Sequence, residues 1–169
     1  MLKVVCTGPE SSGKTTLAVQ LAQHFDCPWV VEYARDYLHQ LHRPYVESDL
    51  LDIAKGQWAQ EHSSSPPLLI CDTDLLTIAI WSEVKYGRIH PWIESRLSPA
   101  PRCCYFLCSP DIPWEDDPLR ENPHDRDALF QRYFDRLTEL DSPFVILSGG
   151  QEARRQQAIQ AIEHWQASQ

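Results

Sequence analysis

Short, almost unbroken apolar runs alternate along this chain with longer amphipathic stretches. The runs are "LKVVCT" (residues 2–7), "WVVE" (29–32), "LLICD" (68–72), "CCYFLC" (103–108) and "FVILS" (144–148). Apolar runs this short, without polar alternation, are what parallel strands covered on both faces require. In "KTTLAVQLAQHF" (14–25), Leu17, Leu21 and Phe25 share a stripe at four-residue spacing, and Asp26-Cys27-Pro28 ends the helix. Helices are also predicted over 47–62, stopped by "SSSPP", and over 74–87, ending at Gly87. A further helix carries Phe130, Tyr133, Phe134 and Leu137, and a last one, 151–166, has Ala158, Ile159, Ile162 and Trp165 as its apolar face. The alternation predicts an α/β fold, a five-stranded parallel sheet between helical layers.

The rhythm breaks at 109–127, "SPDIPWEDDPLRENPHDRD", rich in prolines and acidic residues. A connection of this length inside a compact domain reads as a functional loop or lid. No internal repeat or linker is visible, so residues 1–169 are expected to form one domain.

Charge and cysteine content narrow the partners. A formal charge of -9 leaves no excess of Lys and Arg for a nucleic-acid backbone or an anionic membrane. Cys6, Cys71, Cys103, Cys104 and Cys108 fall in or beside apolar runs and read as reduced core residues; their spacing supports no zinc site. No apolar stretch reaches the roughly 18 residues of a membrane span, and the start has no leader pattern. A soluble, cytoplasmic protein is expected.

The stretch "GPESSGKTT", Gly8, Pro9, Glu10, Ser11, Ser12, Gly13, Lys14, Thr15 and Thr16, fits the phosphate-loop pattern between a strand and a helix, which makes the fold a P-loop NTPase. The glycines let successive N–H groups curl inward, and the helix beginning near Lys14 adds the positive end of its dipole. Lys14 should reach the outer phosphates of ATP, and Thr15 should ligate Mg²⁺.

Ligands of an open parallel sheet sit outside the carboxyl ends of its strands. Asp72, ending the third strand, is placed to hold Mg²⁺; Asp74 suits either that site or the cap of the next helix. Glu32, ending the second strand, and Asp36 are candidates to accept a hydroxyl proton or to grip sugar hydroxyls. An internal ion pair of either with Arg35 is the alternative, and Tyr33 and Tyr37 suit stacking or plain packing. In the lid, Arg120 and Arg126 would put positive charge on a moving phosphoryl group or else balance Asp116, Asp117 and Asp125. "SGG" at 148–150 would turn the chain or approach an adenine edge.

Together "GPESSGKTT", "EYARDY" (32–37), "DTDLLTIAIWSE" (72–83) and "IPWEDDPLRENPHDR" (112–126) resemble the ribosylnicotinamide kinase domain of NadR-type NAD-biosynthesis proteins and the stand-alone NadR-like domains, over nearly the whole chain. The resemblance implies a nucleoside-kinase-like fold and ATP-dependent phosphorylation of the 5′-hydroxyl of nicotinamide riboside, giving nicotinamide mononucleotide. It further implies that Gly8 to Thr16 hold ATP, that Glu32 to Asp36 and Asp72 line the riboside side, and that the arginines of Trp114 to Arg126 form the lid. The adenylyltransferase and DNA-binding regions of full-length NadR proteins have no counterpart in this sequence. Val31 stands where some members carry an aromatic residue, so ring stacking falls to Trp29, Tyr33, Trp58 or Trp81. A regulatory nucleotide-binding module, a slow NTPase and a kinase for another nucleoside are the competing readings. The acceptor, the choice of ATP over GTP and the oligomeric state stay open.

Overall fold

The computed structural model describes residues 1–97 and 103–168. Five strands, β1 (Leu2–Thr7), β2 (Trp29–Val30), β3 (Leu68–Asp72), β4 (Cys103–Cys108) and β5 (Phe144–Leu147), form a parallel sheet in the order β2-β3-β1-β4-β5. The helices are α1 (Lys14–Phe25), α2 (Tyr33–Gln40), α3 (Glu47–Glu61), α4 (Leu75–Tyr86), α5 (Pro91–Glu94), α6 (Arg126–Glu139) and α7 (Gln151–Ala167).

Strand period 2 splits the buried side chains into two cores. Leu2, Val4, Cys6, Phe106 and Cys108 pack against α1 and α7, with the ring of Trp165 stacked 5.3 Å from Phe106. Val5, Leu69, Cys71, Tyr105 and Leu107 pack on the other face against residues of α3, α4 and α6. Right-handed crossovers explain the division: the step from β1 to β2 runs opposite in direction to the steps from β2 onward, so its helix lands on the opposite face. Chains leaving the neighbouring strands β1 and β3 therefore diverge, and a crevice opens between their carboxyl ends.

Four elements differ from the sequence expectation. β2 stops at Val30, so Glu32 is the residue capping α2 rather than the end of a strand. Helix α2 and the single turn α5 were not predicted, and α6 already begins at Arg126 inside the expected lid. The cysteines at 6, 71, 103, 104 and 108 are free and buried. No helix among the described residues is long and apolar enough to cross a membrane.

Candidate active site

The phosphate loop is built around close backbone approach. Gly8 has φ +134°, and a Cβ there would lie 2.7 Å from the carbonyl oxygen of Cys108 at the end of β4. Ser11 adopts φ +54°, a left-handed conformation that a non-glycine residue holds only where its surroundings enforce it. The enforcing contacts come from the lid. Ser11 Oγ accepts from the Glu115 N–H at 2.9 Å and from Arg120 at 3.4 Å, while Ser11 O accepts from Arg126 at 3.1 Å. Within the loop, Lys14 Nζ donates to Pro9 O at 2.6 Å and Ser12 Oγ to the same oxygen at 2.7 Å.

At the β3 end, the Thr15 hydroxyl donates to Asp72 Oδ2 at 2.6 Å, while Asp72 Oδ1 is buried with no hydrogen-bond partner. Burial pushes the Asp72 pKa up, against the Thr15 hydrogen bond and the charge of Lys14. A buried, partly unpaired carboxylate beside a hydroxyl is a donor set that fits Mg²⁺, which takes one or two carboxylates and completes its shell with phosphate and water oxygens. Asp74, two residues on, turns the other way: it caps α4 through Leu76 N at 3.0 Å and receives the Tyr105 hydroxyl at 2.8 Å. It belongs to the buried framework.

The cleft extends from the loop as one cavity of about 360 Å³. Its wall away from the loop is largely apolar, formed by Ala34, Leu38, Ile80, Trp81, Leu129 and Tyr133 around Glu32. Burial raises the Glu32 pKa; Lys14 opposes this, and Asp72 adds to it.

Helix α2 sorts the residues of "EYARDY". Its period turns Ala34, Arg35 and Leu38 to the cleft, and Tyr33 and Tyr37 towards α3. The Tyr33 ring packs where a side chain on Gly56 would strike it, and the Tyr37 hydroxyl donates to Asp49 at 2.8 Å. Asp36 is exposed and does not line the cleft. Thus Glu32 and Arg35 meet the site, and Tyr33 and Asp36 do not. Of the four aromatic candidates, Trp81 lines the cavity, with its indole N–H on Tyr45 at 3.0 Å. Trp29 is exposed, and Trp58 stacks on His62.

The lid is folded across the loop. The Glu10 carboxylate accepts the N–H groups of Glu121 (3.1 Å) and Asn122 (2.8 Å), and Arg35 pairs with Asp117 at 2.9 Å. Arg120 lines the cleft; Arg126 instead bonds Ser11 O and Ile112 O, tying the lid to the loop.

Arg154 escaped the sequence reading. It is 4% exposed, and its guanidinium donates to the carbonyls of Ser12 (2.9 Å), Ser109 (2.9 Å) and Gly149 (2.7 Å) and to Asp111. Its spacing of four before Ala158 and eight before Ile162 places it on the apolar stripe of α7, a position where an arginine needs partners. Gly149 also donates to Asp111 at 2.7 Å, so "SGG" serves here as a tethered turn.

Known proteins place this arrangement. The NadR proteins of Salmonella typhimurium strain LT2 and Escherichia coli K12, described as trifunctional NAD biosynthesis/regulator proteins, are each 28% identical to this chain over 153 residues. Those matches cover 84% of this chain but 37% of each relative, so the chain spans well under half their length. A NadR protein crystallised in complex with NR superposes with a TM-score of 0.82 at 22% identity, over 97% of this chain and 51% of that one. Deoxyadenosine kinase of M. mycoides superposes with a TM-score of 0.70 at 12% identity, over 96% of this chain and 100% of that one. These structural likenesses establish the nucleoside-kinase-like P-loop fold. Residues 3–155 match the model of the AAA_28 family, described as an AAA domain, and the chain belongs to that family.

Proposed function

We propose that this protein is an ATP-dependent kinase that phosphorylates the 5′-hydroxyl of nicotinamide riboside to give nicotinamide mononucleotide, and that it works in the cytoplasm. The observation that carries the reading is the continuous cleft, in which the phosphate loop opens into an apolar chamber containing Glu32. A two-substrate kinase requires room for an acceptor beside the phosphate loop, and the part of this cleft around Glu32 supplies it. The likeness to NadR proteins, one of them crystallised with NR, supports nicotinamide riboside as the acceptor. Six free cysteines fit a reducing compartment.

The roles follow from position. Gly8 to Thr16 wrap the phosphates of ATP with backbone N–H groups. Lys14, released from Pro9 O, and Arg120 stabilise charge on the transferred phosphoryl group. Thr15 and Asp72 would hold Mg²⁺, which when bound neutralises phosphate charge. Glu32 accepts the proton of the acceptor hydroxyl as its oxygen bonds to the γ-phosphorus and the bond to the β–γ bridging oxygen breaks, releasing ADP. Trp81 and Tyr133 flank the flat base, and Arg126 secures the lid that excludes water.

An ATP-consumption assay against a panel of nucleosides tests the proposal. Stimulation by nicotinamide riboside above the other nucleosides, with product of the mononucleotide mass, is expected. ATP consumption unchanged by every nucleoside in the panel would overturn it.

A further inference from the structure

Gln57 lies on α3 behind the cleft, 1% exposed, and its amide touches both halves of the site through the backbone. Its Oε1 accepts the N–H of Tyr33 at 3.0 Å, the peptide that directly follows Glu32. Its Nε2 donates to Glu61 Oε1 at 3.1 Å and to the carbonyl of Thr73 at 3.4 Å, the residue that directly follows Asp72. Thr73 is itself held at φ +66°, with its N–H on Cys6 O at 3.0 Å. That left-handed residue separates Asp72, which faces the phosphate loop, from Asp74, which caps α4.

The amide cannot exchange its two ends without cost. Glu61 is fixed by Lys3 at 2.6 Å, and Lys3 also reaches Asp74 at 3.4 Å. A flipped amide would set its carbonyl oxygen against the Glu61 carboxylate and its NH₂ against the Tyr33 N–H. The buried ion cluster therefore locks the orientation in which one side chain clamps both peptides.

We propose that Gln57 is a positioning residue that sets the separation of Glu32 on the acceptor side from Asp72 on the metal side, through the Tyr33 and Thr73 peptides. The proposal rests on the kinase reading above. Misplacement of a reacting group by about 1 Å costs on the order of 10²-fold in rate, so a loosened clamp is read in turnover rather than in nucleotide binding.

The test is a double-mutant cycle between Gln57→Met, which keeps length and packing but loses the amide, and Glu32→Gln. Gln57→Met should lower kcat with nicotinamide riboside about tenfold or more, with the KM for ATP within about twofold. In the Glu32→Gln background the same change should cost severalfold less than in the wild type, because one of the two groups it positions is already disabled. Glu61→Gln, which leaves Gln57 in place but frees its amide to flip, should lower kcat less and show the same collapse, so the outcome does not depend on one variant folding. Losses that multiply independently, an unchanged kcat, or a fall confined to the KM for ATP would each overturn the positioning role. Wild-type protein without acceptor-stimulated ATP consumption would instead overturn the kinase reading itself.

Discussion

Replacing Glu32 by Gln keeps the side chain's size while removing its charge and its capacity to take a proton. Turnover with acceptor should fall about 10²- to 10⁴-fold with little change in ATP affinity, whereas Asp36→Asn, altering an exposed group outside the cleft, should stay near wild type. Steady-state kinetics on the two variants checks this. Because burial raises the Glu32 pKa, kcat/KM for the acceptor should decline with falling pH at a value above the ordinary glutamate range, and the decline should vanish in Glu32→Gln. Stability carries the opposite sign. The native state binds the proton more readily than the unfolded chain, so the ionised carboxylate costs stability above the raised pKa, and the cost is relieved as pH falls through it. Glu32→Gln should therefore raise the melting temperature at neutral pH, with the gain shrinking in acid, as thermal denaturation at several pH values would show. Gly8→Ala meets both a φ of +134° and the Cys108 carbonyl at 2.7 Å, and should destabilise the fold by about 1–3 kcal/mol in urea unfolding while abolishing ATP binding.

Helix α2 and the lid face each other across the cleft and are joined by Arg35–Asp117, while Glu10 and Ser11 fasten the lid to the phosphate loop. Glu10→Ala removes the acceptor for two adjacent lid N–H groups, so hydrogen exchange at Glu121 and Asn122 should accelerate while α1 stays protected. Both elements show how far local patterning reaches. The alternation of apolar runs and the apolar faces of α1, α6 and α7 were legible because each has a face long enough to repeat, and α3 and α4 through their stop signals. Helix α2 was hidden because its eight residues begin only one residue beyond the β-branched pair Val30-Val31, where strand and helix preferences compete. The lid was legible as an interruption, but its grip on the loop was not, since Glu10 and Asn122 are 112 residues apart.

Arg154 joins the last helix to the first loop and to the end of β4 with one guanidinium. Arg154→Met would leave several inward-facing carbonyls short of a donor and should cost about 2–4 kcal/mol in urea unfolding, with weaker ATP binding as the loop loosens. The phosphate loop was readable in advance because its residues are consecutive: nine neighbours with glycines at set spacing dictate their own backbone, and a strand before and a helix after complete the context. The five-stranded α/β architecture was readable for the same reason, since periodicity is a property of neighbours. Choices between near-equivalent residues were not. Glu32 enters the cleft and Asp36 leaves it because α2 starts at Tyr33; Asp72 faces the loop and Asp74 the core because Thr73 turns the chain between them. Gln57 and Arg154 gain their partners only where distant segments meet, and hydrogen bonds across such distances leave no periodic trace in the chain.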